Sequence, residues 1–342
     1  MTHNLVYNEL LKAPVNVTWE ITGQCNLRCH HCLSAGILEN CDETLDFIEC
    51  CRFIDDLDRM DVFQINFGGG EPFLREDFLD ILQYAHAKEI TTCVSTNGTT
   101  LTEPLVRKLA TMELLYIQVS LDGATAATND LIRGEGTFES IISGIELLAA
   151  CHFPNASTNT VVTRINFRDI LEIYELGRRY GLKTRLSRFR PSGNAKSVWD
   201  TYHLEKDQLA ELSKFLSSHR DILTGDSFFS ITAEDRRELG LNMCGAARMT
   251  CAVLPDGSVY PCAFLQDSFF RAGNVREESL ATIWTQSAVF TMIRNIRIES
   301  CEQCSRFDQC HGGCPAVAYF LTQSINRSDP ECMIQVQQLL PV

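Results

Sequence analysis

The sequence predicts an α/β protein: a parallel sheet of βα units, open or rolled into a partial barrel, followed by a cysteine-rich C-terminal segment. Three observations carry this. From about residue 15 to 190, short β-branched runs alternate with amphipathic stretches of helical period. The unusual residues gather where those runs end. Of the sixteen cysteines in 342 residues, eleven fall into two spaced groups.

The elements follow in order. A strand over 15–22 leads to Cys25-Asn-Leu-Arg-Cys29-His-His-Cys32, and a helix covers 44–60. A second strand, 63–67, runs into Gly68-Gly-Gly-Glu-Pro72 and a helix over 75–88. The third, 91–95, ends at Ser95-Thr-Asn-Gly98 before a helix over 103–113. The fourth, 116–121, closes with Ser120-Leu-Asp-Gly123, and a helix covers 138–152. The fifth, 157–163, closes with Thr163-Arg-Ile-Asn166. The helix at 167–180 repeats Ile170, Leu171, Ile173 and Leu176 at helical spacing. The sixth strand, 183–188, leads into Arg188-Phe-Arg-Pro-Ser-Gly193. In βα folds the loops after the strands form the active face, so six such motifs mark one site.

Beyond residue 200 a helical connector over 204–219 precedes Gly225-Asp-Ser-Phe-Phe229. Residues 254–262 read as a hairpin with Asp256-Gly257 at its turn. The expected organisation is a lead-in over 1–14, a core domain over 15–200, a connector over 201–243 and an iron–sulfur domain over 244–342.

Hydrophobic content of 45% and charged content of 22% are those of a soluble globular protein. A net charge of −14 without a basic stripe argues against a nucleic-acid partner. The N-terminal residues lack a signal-peptide pattern, and no run approaches the roughly 18 apolar residues of a membrane span. Cysteines in that setting indicate a reducing cytoplasm and metal ligation, not disulfides.

Cys25, Cys29 and Cys32 form a CxxxCxxC trio. Three thiolates hold three irons of a four-iron cluster and leave the fourth open. Cys244, Cys251, Cys262, Cys301, Cys304, Cys310, Cys314 and Cys332 number twice four, which suggests two closed clusters. Zinc sites are the alternative for both groups. Cys41, Cys50, Cys51, Cys93 and Cys151 lack partners at ligand spacing and read as small core residues.

The trio, joined to the Gly-Gly-Gly-Glu-Pro turn one strand later, resembles the radical S-adenosylmethionine (SAM) superfamily. The resemblance implies a partial (β/α)6 TIM-type barrel in which Cys25, Cys29 and Cys32 hold a [4Fe–4S] cluster. SAM would chelate the open iron and, on reduction, yield a 5′-deoxyadenosyl radical. Backbone carbonyls of Gly68, Gly69 and Gly70, with Glu71, would bind the SAM ammonium, the glycines letting the backbone come close to a ligand. His31 would lie near adenine, Ser95 and Asn97 at the ribose or carboxylate, and Ser120 and Arg133 at the carboxylate. The C-terminal pattern, with twelve residues between Cys244 and Gly257 and four more before Cys262, resembles the SPASM extension. By that resemblance Cys244, Cys251, Cys262 and Cys314 hold one auxiliary [4Fe–4S] cluster. Cys301, Cys304, Cys310 and Cys332 hold another, for three clusters in all. If Cys251 is instead a buried thiol, the first auxiliary cluster keeps an open iron.

Within that group, Thr18-Trp-Glu-Ile-Thr, Val119-Ser-Leu-Asp-Gly-Ala-Thr, Arg190-Pro-Ser-Gly, Leu223-Thr-Gly-Asp-Ser-Phe-Phe, Cys244-Gly-Ala-Ala-Arg and Ala272-Gly-Asn-Val resemble the mycofactocin maturase family. The implied reaction is oxidative decarboxylation of a precursor peptide's C-terminal tyrosine, then carbon–carbon crosslinking to the preceding valine. The first strand begins near residue 15, so a separate small recognition protein is the expected partner. A flavodoxin- or ferredoxin-type reductant would supply electrons. Arg188, Arg190 and Asp226 are candidates for the substrate pocket. Competing readings are a thioether or tyrosine–glutamate crosslink, a haem-pathway decarboxylation, and a non-catalytic iron–sulfur carrier.

Overall fold

The computed structural model describes residues 10–38, 43–113, 115–224, 244–305 and 307–332, with only the backbone of Asp308 and Gln309. Cys41, Asp226 and the Gly225-Asp-Ser-Phe-Phe229 stretch lie outside the described residues.

Six parallel strands appear where the sequence placed them: β1 (Asn16–Thr22), β2 (Gln64–Gly69), β3 (Thr91–Thr96), β4 (Leu115–Ser120), β5 (Ala156–Val162) and β6 (Lys183–Arg188). Their order in the sheet follows their order in the chain, with every neighbouring pair parallel. The principal helices are α1 (Phe47–Arg59), α2 (Phe78–Ala87), α3 (Glu103–Leu109), α4 (Ala126–Arg133), α5 (Thr137–Ala150), α6 (Ile170–Arg179) and α7 (Lys206–Ser218).

Helix ends differ from the sequence expectation where caps intervene. Asp46 and Glu49 form a reciprocal capping box at 2.8 Å in each direction, so α1 starts at Phe47 and not at residue 44. The start of α2 is delayed by the short turn Pro72–Leu74. Arg75 then clasps the carbonyls of Ile21 and Leu45, both at 2.8 Å, while pairing with Asp77. Helix α4 had no counterpart in the sequence analysis. It buries Asn129 and Arg133, polar residues that a search for apolar periodicity passes over.

The two faces of the sheet differ in chemistry. Val17, Trp19, Phe67, Val94 and Val119 are fully buried beneath Phe53, Ile54, Phe78, Ile81 and Ile145 of the helices. On the other face, register brings Thr18 beside Asn66, Ser95 beside Gln118, and Asn159 beside both Ser120 and Arg185. Parallel sheets ordinarily bury both faces in apolar packing. A polar face in a curled parallel sheet instead lines a lumen for water or ligand. Cys93 lies on this polar face, half-buried, and not in the core expected for it. Cys50 is a core residue, Cys151 packs partly buried against that core, and Cys51 is half-buried on α1.

The C-terminal segment extends the same sheet. β7 (Thr250–Val253) pairs parallel with β1, followed by antiparallel β8 (Ser258–Tyr260) and β9 (Gly273–Asn274). The expected hairpin joins β7 to β8. Gly257 closes its turn at φ +84°, donating its N–H to Leu254 O at 2.9 Å. Helices α8 (Leu280–Gln286), α9 (Ala288–Arg294) and α10 (Pro315–Thr322) complete the C-terminal part. No helix among the described residues is long and apolar enough to cross a membrane.

Trp19 is fully buried, with Phe53 edge-on at 4.8 Å and Phe67 at 5.5 Å. Trp19→Ala is expected to cost about 3–5 kcal/mol of stability, read by denaturant titration.

Candidate functional site

The CxxxCxxC loop leaves β1 and is fixed from two sides. His30 N–H donates to Ile132 O of α4 at 2.9 Å, and Asn194 N–H donates to Cys32 O at 2.9 Å. The second contact needs Gly193, where a Cβ would stand 2.1 Å from Leu33 O. The three thiols lie close enough to act on one another. Burial pushes Cys29 up to about 11, opposed by Arg133 and reinforced by Asp122, Cys32 and Cys25. Burial also raises Cys32, with Glu20 and Cys25 adding to the effect. Arg133 Nη1 stands 3.9 Å from Cys29 Sγ, a cation set against a thiolate.

The glycine turn packs directly on this loop. Gly70 N–H donates to Thr22 O at 2.8 Å and Glu71 N–H to Gln24 O at 2.7 Å. A Cβ on Gly69 would meet Thr22 O at 2.6 Å, and one on Gly70 would meet Gln24 O at 2.0 Å. What a Cβ would meet at these two positions is the protein's own backbone. Gly68 instead faces open space: a Cβ there would have nothing within 4 Å. Glu71 is fully buried and accepts from Thr96 Oγ1 at 2.8 Å, Asn97 N–H at 2.7 Å and Phe73 N–H at 3.3 Å. Its carboxylate locks the turn to the end of β3, and burial raises its pKa above the usual value. Asn97 links the same end to the cysteine loop through Asn26, at 2.8 Å. Ser95 and Ser120 are half-buried on the polar face.

His31 and Arg133 meet a residue to which the sequence analysis gave no role. His31 Nε2 lies 2.8 Å from Asp122 Oδ2, and Arg133 Nη2 lies 2.7 Å from the same oxygen. Asp122 is fully buried. Burial pushes its carboxyl up, but Arg133 and His31 together hold it below the usual range. The guanidinium fork expected at a SAM carboxylate therefore engages a carboxylate of the protein, and His31 is oriented by the same group. The available signal was the Ser120-Leu-Asp-Gly motif itself, an acid at a strand end followed by an arginine one helix later.

Glu20 was likewise missed. It lies on the polar side of β1 with 2% exposure, accepting from Ser34 Oγ at 2.7 Å and from the Gln266 amide. Burial raises its pKa to about 7.

In the C-terminal part, Cys314 and Cys262 both act on Cys244, and Cys314 acts on Cys262, which burial pushes up to about 11. Arg190 opposes both shifts. Cys251 stands apart: it is fully buried in the main core and raised to about 12 by that burial, with Arg294 as the charge that opposes it. Cys301 and Cys310 both feel Cys304 and Cys332. No three His, Cys, Asp or Glu side chains among the described residues converge tightly enough to grip one bare ion.

Asp329 joins these groups to the barrel. Its carboxylate takes the Arg188 fork at 2.6 and 2.7 Å and the N–H groups of Cys314 and Glu331, both at 3.0 Å. Its own N–H donates to Gly312 O at 2.9 Å. Arg188, expected in a substrate pocket, is thus a buried clamp between β6 and the C-terminal cysteines.

A parallel partial barrel with a three-thiol loop after β1 and a glycine turn after β2 is the architecture of radical SAM enzymes. The Radical SAM superfamily model matches residues 19–177, and the SPASM iron–sulfur cluster-binding domain matches 244–311. The chain is 40% identical to mycofactocin maturase MftC of Mycobacterium tuberculosis, over 94% of this chain and 84% of that protein. It is 28% identical to the AdoMet-dependent heme synthase of Methanosarcina barkeri, over 95% and 97%. Among solved structures, Streptococcus suis SuiB bound to precursor peptide SuiA matches with a TM-score of 0.78 at 18% identity, over 96% of this chain and 77% of that one. The chain belongs to the mycofactocin maturase family of radical SAM/SPASM enzymes.

Gly70→Ala is expected to lower stability by about 1–3 kcal/mol through its clash with Gln24. Gly68→Ala should stay within about 0.5 kcal/mol of the parent while weakening SAM binding. Thermal unfolding and SAM titration separate the two. For Glu20, the unfolded carboxyl ionises near 4.5 and the folded one near 7. Below 4.5 both states hold the proton. Stability then falls as pH rises to 7, by on the order of 3 kcal/mol, and stays lowered above it. Glu20→Gln is expected to flatten that stretch of the stability–pH curve.

Proposed function

We propose that this enzyme modifies a ribosomally made precursor peptide by oxidative decarboxylation of its C-terminal tyrosine, followed by carbon–carbon crosslinking to the preceding valine. Identity of 40% to MftC across 94% of the chain carries this reading. The haem-synthase likeness, at 28%, is weaker over the same span.

The residues after β1 and β2 fit an iron–sulfur cluster with SAM. Cys25, Cys29 and Cys32 lie within reach of one another beside the Arg133 cation, and Gly68 faces open space. When bound, the cluster and SAM together supply a 5′-deoxyadenosyl radical for hydrogen abstraction. Carbonyls of the turn that Glu71 locks would bind the SAM ammonium. Ser95, Asn97 and Ser120 would meet its ribose or carboxylate, with His31, held by Asp122, near adenine. Arg133 would act through Asp122 and Cys29 as a positioning cation. The polar lumen would admit the peptide's end, whose tyrosine loses a hydrogen atom from Cβ, then CO2 and one electron.

We assign that electron to auxiliary [4Fe–4S] clusters, one of them held by Cys301, Cys304, Cys310 and Cys332, for three clusters per chain. The domain division at residues 200 and 244, the cytoplasmic location, the separate small recognition protein and the flavodoxin- or ferredoxin-type reductant belong to the same reading.

Incubation of the reconstituted enzyme with SAM, dithionite, a precursor ending Val-Tyr and its recognition protein is expected to yield 5′-deoxyadenosine and a peptide lighter by CO2 and two hydrogens. A thioether product by mass spectrometry would overturn the proposal.

A further inference from the structure

The lumen face of the sheet carries two cations among the described strand residues, Lys183 and Arg185, both on β6. Lys183 opens the strand and is exposed, at the end away from the CxxxCxxC loop. Arg185 lies one pleat further in and is half-buried. Residues paired across a ladder point to the same side. Arg185 pairs with Asn159 of β5, and Asn159 pairs with Ser120 of β4. A guanidinium, an amide and a hydroxyl therefore stand side by side on the lumen wall.

Further contacts fix that row. Ser187 Oγ donates to Asn159 Oδ1 at 2.7 Å, which commits the amide oxygen and leaves the amide NH2 group to donate elsewhere. The Arg185 charge reaches Cys93 of β3 on the same face, opposing the burial that pushes this thiol up to about 11. On the outer side of β6, Leu186 N–H donates to Leu223 O at 3.0 Å and Leu223 N–H to Thr184 O at 2.8 Å. The backbone at Arg185 is thus paired on both sides, and its side chain projects from a fixed position. Two other arginines near the site are matched by the protein's own carboxylates, Arg133 by Asp122 and Arg188 by Asp329 and Glu331.

We propose that Arg185, with the Asn159 amide beside it, receives the C-terminal carboxylate of the peptide substrate and so selects a free chain end. This rests on the reading above that the substrate residue is a C-terminal tyrosine. A guanidinium fork suits a carboxylate, and its five N–H donors let it hold one alongside other contacts. Neighbouring strands lie about 4.8 Å apart, so Arg185 stands roughly 10 Å along the wall from Ser120, which is assigned to SAM. The Cβ of a C-terminal residue is two bonds from its carboxylate carbon. A carboxylate at Arg185 leaves room for that Cβ between itself and SAM.

The test uses the reconstituted full chain with SAM, unreduced, and two short fluorescein-labelled peptides ending Val-Tyr, one a free acid and one a C-terminal amide. Anisotropy titration is expected to show the parent binding the acid roughly tenfold or more tightly than the amide. Arg185→Gln should bind the two alike, and Arg185→Lys should recover part of the preference. SAM affinity, measured by equilibrium dialysis without peptide, should be the same in all three proteins. A parent that does not prefer the acid overturns the proposal, and that result needs no variant to fold. So does an Arg185→Gln protein that keeps the preference, or one that loses SAM affinity, which would move the cation to the SAM carboxylate. The turnover assay above separates the two readings. A parent that makes the decarboxylated product but fails these comparisons sinks the role of Arg185 alone, whereas a thioether product sinks the tyrosine reading and this proposal with it.

Discussion

Asp122 lies two residues beyond β4 with no exposed surface, and a single carboxylate oxygen meets both His31 at 2.8 Å and Arg133 at 2.7 Å. The other oxygen accepts from Val161 N–H at 2.8 Å, and the backbone carbonyl accepts from the Asn166 amide at 3.0 Å. The backbone N–H donates to Asn129 Oδ1 at 3.1 Å. One residue therefore holds β4, β5, α4 and the cysteine loop in fixed relation. Removing one partner of such a buried pair typically costs about 3–5 kcal/mol, because the remaining charge is left uncompensated. The placement of Cys29 depends on this contact, since Arg133 reaches both Asp122 and the Cys29 sulfur.

A second buried carboxylate does the same for the C-terminal cysteines. Asp329 fastens Arg188 of β6 to the backbone at Cys314 and Gly312. It works alongside the continuous sheet, in which β7 hydrogen-bonds directly to β1. The distance from barrel to C-terminal cysteines is thus set by ladder bonds and a bidentate ion pair. A linker between separate bodies could not fix it as closely.

The six parallel strands were legible because each is a short β-branched run ending in a loop with its own residue signature. Helix boundaries were less so, since Asp46 and Arg75 act through caps and carbonyl contacts that periodicity does not contain. The glycine motif was legible for two reasons that only the structure separates: backbone crowding at Gly69 and Gly70, and open space at Gly68. Asp122 was hidden because its partners lie on other elements and its neighbours in sequence say nothing of burial. Spacing records order along the chain, whereas strand register records direction, and register pairs Cys251 with Val17 in the core.

The cations near the thiols follow a pattern that spacing alone does not give. Arg133 acts on Cys29 of the CxxxCxxC loop, and Arg190 acts on Cys244 and Cys262. For Cys301 and Cys310 burial leads, opposed by the Ser300 side chain and the Gly312 N–H respectively, with fellow thiols adding to it. A cluster closed by four thiolates presents no position for a further ligand, so a guanidinium beside it has no anion to receive. A cluster with three thiolates does, and a cation nearby lowers the cost of bringing an anionic ligand to a buried place. Arg133 beside Cys29, and Arg190 stacked on Phe264 two residues from Cys262, thus bring positive charge to both groups of thiols.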